Sequence, residues 1–314
     1  MILFKHFKNS ISTSITLSKI NDSKYKFLDS LRIFFIRFFF SIPSIRNLIK
    51  SKNVNSDDLI NSKKFVNSNF STKEILNKIE SKGYFDELNF PKSVIEKIKE
   101  NINDKNCFLD TKGFDLKDRN NSKLQFKNLD ELAIYSMSNK IKHLIVKFKD
   151  QINFINSDIA LEPFVNIAKK YLNSEKVTCK VECYISNPFQ SNEYEMKKNA
   201  QYYHYDCDYK KFLKIFIYLN DVDIDSGPHV YIEKTHKKKL FKHILAERIN
   251  DDEINKFYGF SNQKIFTKNE GSIIIEDTFG LHKGIVPKSK SRYVLILEYG
   301  SGKSILKNDQ YFYI

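Results

Sequence analysis

Between Lys176 and Tyr299 the chain is divided into short apolar runs that leave little room for crossover helices. Lys176–Ser186 alternates Val177, Cys179, Val181 and Cys183 with polar residues, the period-2 signature of a strand covered on one face. Phe212–Leu219 is apolar almost throughout and reads as a buried strand. Shorter strands are predicted at 230–232, 264–267, 272–276 and 293–299. Gly227-Pro228, Gly271, Gly280 and Gly284 mark turns between them. Parallel neighbours need a connection of a dozen or more residues, usually a helix. This spacing therefore points to antiparallel pairing in a sandwich or jelly roll.

A helical front precedes the strands. Ser71–Ser81 carries Ile75, Leu76 and Ile79 at helical spacing, with Ser71 or Thr72 as cap and Gly83 as terminator. Pro91 opens a second helix through Asn101. Residues 104–125 read as loop, and Leu129–Lys147 and Ile159–Leu172 as two further helices. The expected fold class is α+β, with a jelly-roll core over 176–300 and a helical front over 71–175. Residues 1–70 form an extension, of which 51–70 is a polar linker.

Bulk properties narrow the partners. The 314-residue chain, 41% hydrophobic, can bury a substantial core. Its net charge of +14 comes from lysines spread along the chain, apart from Lys237–Lys239. That pattern reads as a solvated surface, and no nucleic-acid partner is expected. Cys107, Cys179, Cys183 and Cys207 form no C-x-x-C pair or disulfide framework. The first twenty residues lack an apolar core, so a cytoplasmic location is expected. Phe27–Ile49 is aromatic and apolar, but Asp29, Arg32, Arg37, Pro43 and Arg46 interrupt it, which excludes a membrane span. The preferred reading is a helix buried against the main domain or a second copy. A helix lying on a membrane surface is the second reading. A monomer or homodimer is expected.

The chemistry-bearing residues lie in Gln201–Asp208, Q-Y-Y-H-Y-D-C-D, and Gly280–Arg292, G-L-H-K-G-I-V-P-K-S-K-S-R. Residues two apart on a strand face one way, about 6.6–7 Å apart, so His204 and Asp206 can converge on one ion. Asp208, about 13 Å from His204 by the same spacing, is too far to share it, and Cys207 faces away. His282, in a glycine-flanked turn after a buried strand, is the candidate third ligand. Two His and one carboxylate form the facial arrangement of non-haem iron oxygenases.

The ordered set H-Y-D-C-D-Y-K-K-F-L-K-I-F-I-Y-L-N-D-V-D, S-G-P-H-V-Y-I-E-K-T-H-K, E-D-T-F-G-L-H-K-G and S-R-Y-V-L resembles the phytanoyl-CoA dioxygenase family over about residues 80–300. The resemblance implies a double-stranded β-helix (jelly-roll, cupin-like) and an Fe(II)- and 2-oxoglutarate-dependent dioxygenase using O2, with no haem and no nucleotide cofactor. It implies His204, Asp206 and His282 as metal ligands and Arg292 as the cation for the far carboxylate of 2-oxoglutarate. The expected reaction hydroxylates a small organic molecule or acyl conjugate. Two departures stand out. The family's G-S-H reads Lys234-Thr235-His236, and the position two after the distal His, often a hydroxyl residue, is Gly284.

Other residues carry weaker expectations. Lys214 either snorkels at the barrel rim or reaches an acidic ligand. Gln201 and Tyr203 line the pocket or, for Tyr203, fill the core. His229 is expected in a supporting role, His236 to order its loop, and Glu276 or Asp277 to bond the distal His. His6, His143 and His243 have no supporting neighbours. The alternative functions are a non-catalytic ligand-binding protein and a cupin-type hydrolase or isomerase with zinc or manganese.

Overall fold

The structure, a computed structural model, describes residues 70–110, 124–157, 161–246, 248–302 and 312–313, with isolated positions 35, 39, 42, 45, 65 and 66. His6 and, apart from four isolated positions, Phe27–Ile49 lie outside the described residues.

The first described helix, α1 (Thr72–Lys82), starts where a capping box forms: Ser71 accepts from the Glu74 amide, and Glu74 accepts from the Ser71 amide. Gly83 closes it with φ 102°, a conformation open to glycine. Then follow β1 (Tyr84–Asn89), α2 (Lys92–Asn101), β2 (Cys107–Leu109), α3 (Leu129–Ser138), β3 (His143–Phe148), α4 (Gln151–Asn156), α5 (Glu162–Leu172) and β4 (Val177–Ser186). The second half has α6 (Glu193–Lys198), β5 (Phe212–Tyr218), β6 (His229–Ile232), α7 (Phe241–Leu245), α8 (Asp251–Tyr258), β7 (Gln263–Phe266), β8 (Ser272–Glu276), β9 (His282–Gly284), β10 (Arg292–Ser301) and β11 (Phe312–Tyr313).

An eight-stranded sheet runs β1-β8-β5-β10-β4-β3-β2, with β11 also paired to β4, and a three-stranded sheet runs β7-β6-β9. All these strand pairs are antiparallel. The outer face of the large sheet presents Val181, Cys183, Leu295, Leu297, Ile215 and Ile275, fully buried in one cluster with Ile75 and Ile79 of α1 and Phe164 and Ile167 of α5. Its inner face meets the small sheet where Tyr84, Phe216, Tyr218 and Ile274 pack on Tyr231 and Phe266. The architecture is α+β, a jelly-roll double-stranded β-helix with helices on one face. No helix among the described residues is long and apolar enough to cross a membrane.

The structure corrects the sequence reading in three places. The helix expected over Leu129–Lys147 stops at Ser138, and His143–Phe148 is a strand. Its H-L-I-V-K-F pattern suits a sheet buried on one face, and pairing with β4 overrides any helical continuation. Strands β1, β2 and β9 were not anticipated: they are edge strands or only three residues long, too short for a periodic signal. Two short helices, α7 and α8, fill the connection between β6 and β7.

Leu295 lies at the centre of the outer cluster with no exposed surface. Leu295→Ala is expected to lower unfolding free energy by about 2–5 kcal/mol in urea titration, the range for deleting a buried leucine.

Candidate metal centre

His204 and His282 stand directly opposite one another in an isolated antiparallel bridge. The His204 amide donates to the His282 carbonyl at 3.0 Å, and the His282 amide donates back at 2.9 Å. The rings stand 4.3 Å apart, centroid to centroid. The ladder ends there. Residues 205–208 are not strand, so Asp206 does not reach the site by strand alternation. Its amide instead donates to the Thr278 carbonyl at 2.9 Å, tying the loop to the chain that leads into β9.

Both imidazoles are oriented by backbone. His204 Nδ1 donates to the Tyr202 carbonyl at 3.0 Å, and His282 Nδ1 to the Gly280 carbonyl at 2.9 Å. This leaves the Nε2 lone pairs for a metal, the usual support of a ligating histidine. Gly280 has no substitute, because a Cβ there would sit 1.9 Å from the Tyr231 hydroxyl. His204 Nε2 is 3.8 Å from Asp206 Oδ1, and His282 Nε2 is 3.5 Å from Asp206 Oδ2. One donor atom from each residue lies within 4.8 Å of the others. Adjacent ligands each about 2.1 Å from an ion are about 3 Å apart, so a small contraction closes this set around a metal. Burial pushes both imidazoles below their ordinary range and keeps them neutral, the ligating form. The donor set of two neutral imidazoles and one carboxylate fits Fe(II).

Asp206 is held from behind by Lys214. The Lys214 ammonium lies 2.9 Å from Asp206 Oδ2, 3.3 Å from Glu298 Oε2 and 3.5 Å from Asp208 Oδ2. Burial alone would raise the Asp206 carboxyl, but the Lys214 ammonium holds it well below the carboxylate range. Burial likewise opposes the Lys214 charge, and Asp206, Glu298 and Asp208 outweigh it. Asp208 thus joins the site as a partner of Lys214, outside the ligand trio.

His229 lies beside the trio, its ring 5.5 Å from that of His282 and stacked 4.7 Å from Phe216. Its Nε2 bonds Glu276 at 2.9 Å. Burial raises Glu276 to about 8, while burial and Arg292 lower His229 to about 3. At neutral pH this is an acid–imidazole hydrogen bond with Glu276 as donor. The expected bond from Glu276 or Asp277 to His282 is therefore absent. Glu276 serves His229, and Asp277 accepts from the Tyr171 hydroxyl at 2.6 Å and the Phe279 amide at 3.0 Å. His236 Nε2 donates to the Glu80 carbonyl, tethering its turn to α1. Tyr203 is buried and its hydroxyl donates to Gln263.

Arg292 starts β10 on the same rim. Its Nη1 donates to the Gly227 carbonyl, and its Nε is enclosed without a partner. No carboxylate of the described residues pairs with it. Gly284 makes room for the guanidinium: a Cβ there would lie 2.9 Å from Nη2. Gly284 is two residues after His282 on β9, which places this cation about 7 Å along the strand from the distal ligand. His143, unremarkable in the sequence, lies at the same rim. It is buried, bonded to Ser186 at 3.2 Å and to Gln201 at 3.3 Å, and lowered to about 4 by burial and Arg292. Recognising β3 as a strand was the only sequence signal that could have placed it there. His243 is bonded to Tyr258 and Glu253, outside the trio.

No protein-family model matches the chain, and no curated protein matches its sequence. Among solved structures it is similar to HygX from Streptomyces hygroscopicus with nickel, 2-oxoglutarate and hygromycin B bound. That match has 10% identity and a TM-score of 0.47, covering 73% of this chain and 86% of that one. It is also similar to EvdO2 from Micromonospora carbonacea var. aurantiaca complexed with 2-oxoglutarate, with 11% identity and a TM-score of 0.44 over 75% and 93% of the chains. A third is the epimerase SnoN in complex with Fe3+, alpha ketoglutarate and nogalamycin RO, with 9% identity and a TM-score of 0.43 over 73% and 82%. Likenesses of this size leave reaction and substrate to be argued from the site.

Removing Lys214 leaves three buried carboxylic groups without their cation. Lys214→Met is expected to lose about 3–5 kcal/mol of stability in urea titration, the range for breaking a buried ion pair. Asp206→Ala and His282→Ala are each expected to abolish Mn2+ binding in calorimetry while far-ultraviolet circular dichroism stays unchanged.

Proposed function

We propose that the chain is a non-haem Fe(II)- and 2-oxoglutarate-dependent oxygenase that hydroxylates a small organic molecule. The observation that carries this reading is Arg292, a part-buried guanidinium with no carboxylate partner among the described residues, one strand repeat from a two-histidine, one-carboxylate group. A buried cation is costly unless it is paired. A dianion with one end at the metal and the other at Arg292 supplies that pair.

His204, Asp206 and His282 would hold the iron through two imidazoles and one carboxylate. When bound, iron and 2-oxoglutarate supply the oxidising chemistry: substrate C–H, 2-oxoglutarate and O2 give substrate C–OH, succinate and CO2. Arg292 receives the far carboxylate through a planar fork that fits two oxygens at once. Its hydrogen bond to Gly227 and the gap at Gly284 aim that fork. Gln201 and His143 stand beside it, and the Gln201 amide oxygen is enclosed without a partner. A rotated amide would offer its NH2 to the same carboxylate. Lys214, held by Asp206, Asp208 and Glu298, acts through the metal ligand and not on 2-oxoglutarate. A hydrolase using zinc or manganese would leave the Arg292 cation without a task.

Under anaerobic conditions, Fe(II) and 2-oxoglutarate together are expected to give a visible charge-transfer band that His204→Ala abolishes. No band in the wild-type protein refutes the proposal. Arg292→Gln is expected to weaken 2-oxoglutarate binding by roughly 2–5 kcal/mol, the range for removing one partner of a buried charge pair. Gly284→Ala displaces the guanidinium, so calorimetry is expected to show weakened 2-oxoglutarate binding with Mn2+ affinity retained.

A further inference from the structure

Along β3, β4, β10 and β5 the pairing register sets inward-facing side chains in transverse rows. Nearest Asp206 is Lys180–Glu298–Lys214–Glu276, followed by Lys147–Glu182–Ile296–Phe216, then Ile145–Tyr184–Val294–Tyr218. The small sheet covers these rows on the β5 and β8 side, where Tyr231 and Phe266 pack on Phe216, Tyr218 and Ile274. Toward β3 and β4 that cover ends. Ile145, Lys147, Lys180, Tyr184 and Ile296 keep accessible surface in mid-sheet, although their outward neighbours Val146, Val181, Cys183, Leu295 and Leu297 have none. A trough therefore runs over β3, β4 and β10 and abuts the metal centre through Lys214.

The trough is polar. Glu182 is its hub, accepting from the Tyr184 hydroxyl at 2.8 Å and pairing with Lys180 at 3.1 Å and Lys147 at 3.7 Å. Glu298, only 6% exposed, bonds Lys214 through Oε2, while its Oε1 is enclosed without a partner. A buried oxygen without a donor carries a desolvation cost that a bound donor group removes. An acyl chain would leave that oxygen unpaired and would strip water from Lys147, Lys180 and Glu182 without replacing it.

On the oxygenase reading above, we infer that this trough binds the primary substrate, and that the substrate is a polar small molecule carrying hydroxyl or amino donors rather than an acyl chain. A hydroxyl, able both to donate and to accept, pairs with Glu298 Oε1, one lysine away from Asp206; burial raises that carboxyl to about 8. Glu182 and Tyr184 bind a second polar group, and the apolar strip of Ile145 and Ile296 meets the carbon skeleton between them. Glu182 and Tyr184 thereby set specificity from the sheet side of the centre. Of the two substrate classes expected from the sequence, a small organic molecule and an acyl conjugate, this favours the first.

The test uses the anaerobic Fe(II)–2-oxoglutarate band of the full-length protein, titrated with inositols, amino sugars and polyamines on one side and with decanoate and decanoyl-coenzyme A on the other. At least one hydroxyl or amino compound is expected to perturb the band, with no response to the acyl compounds. Glu182→Gln and Tyr184→Phe are expected to weaken that response at least about tenfold, the discrimination that a lost buried hydrogen bond commonly gives. The band of each variant is recorded first, so that loss of iron or 2-oxoglutarate binding is read separately. A response confined to the acyl compounds, a polar panel without effect, or polar binding unchanged in both variants overturns the inference while the oxygenase reading stands. Absence of the wild-type band overturns both.

Discussion

The two-way backbone bridge between His204 and His282 is the constraint on which the centre depends. These residues are far apart in sequence, yet each donates its amide to the other's carbonyl. The pairing fixes their distance before any metal is present, and the Tyr202 and Gly280 carbonyls fix the rings. The carboxylate arrives by another route, on a loop tied to Thr278. The loop before β9 therefore positions both His282 and Asp206.

Electrostatics divides the interior into a closed part and an open part. Lys214 bridges Asp206, Asp208 and Glu298 and holds the Asp206 carboxylate ionised within the protein. Glu276 and His229 form a neutral pair beside them. Arg292 has no such compensation, only a backbone carbonyl.

Much of the sheet was legible because one-sided burial leaves a period of two. Val177–Ser186 carries that pattern over ten residues, while Phe212–Tyr218 and the apolar stretch of Arg292–Ser301 were legible as continuous apolar runs. The three-residue β9 is too short for it, and His143–Phe148 was read through as helix because a helical segment precedes it directly. That misreading hid His143, whose place depends on its register with Ser186 and hence on Arg292. Lys214 was visible as an odd charge on an apolar strand, but its partners lie on a loop and on β10.

By itself, the sequence determined the antiparallel α+β architecture and the residue types able to form a metal centre with an arginine nearby. Local periodicity and residue chemistry are properties of neighbours in the chain. Tertiary structure alone decided that Asp206 approaches from a loop, that Lys214 is committed to carboxylates, that Glu276 supports His229 and that Arg292 meets no carboxylate among the described residues. Those outcomes depend on strand register and on which buried charges meet, and both are set by contacts between residues distant in sequence.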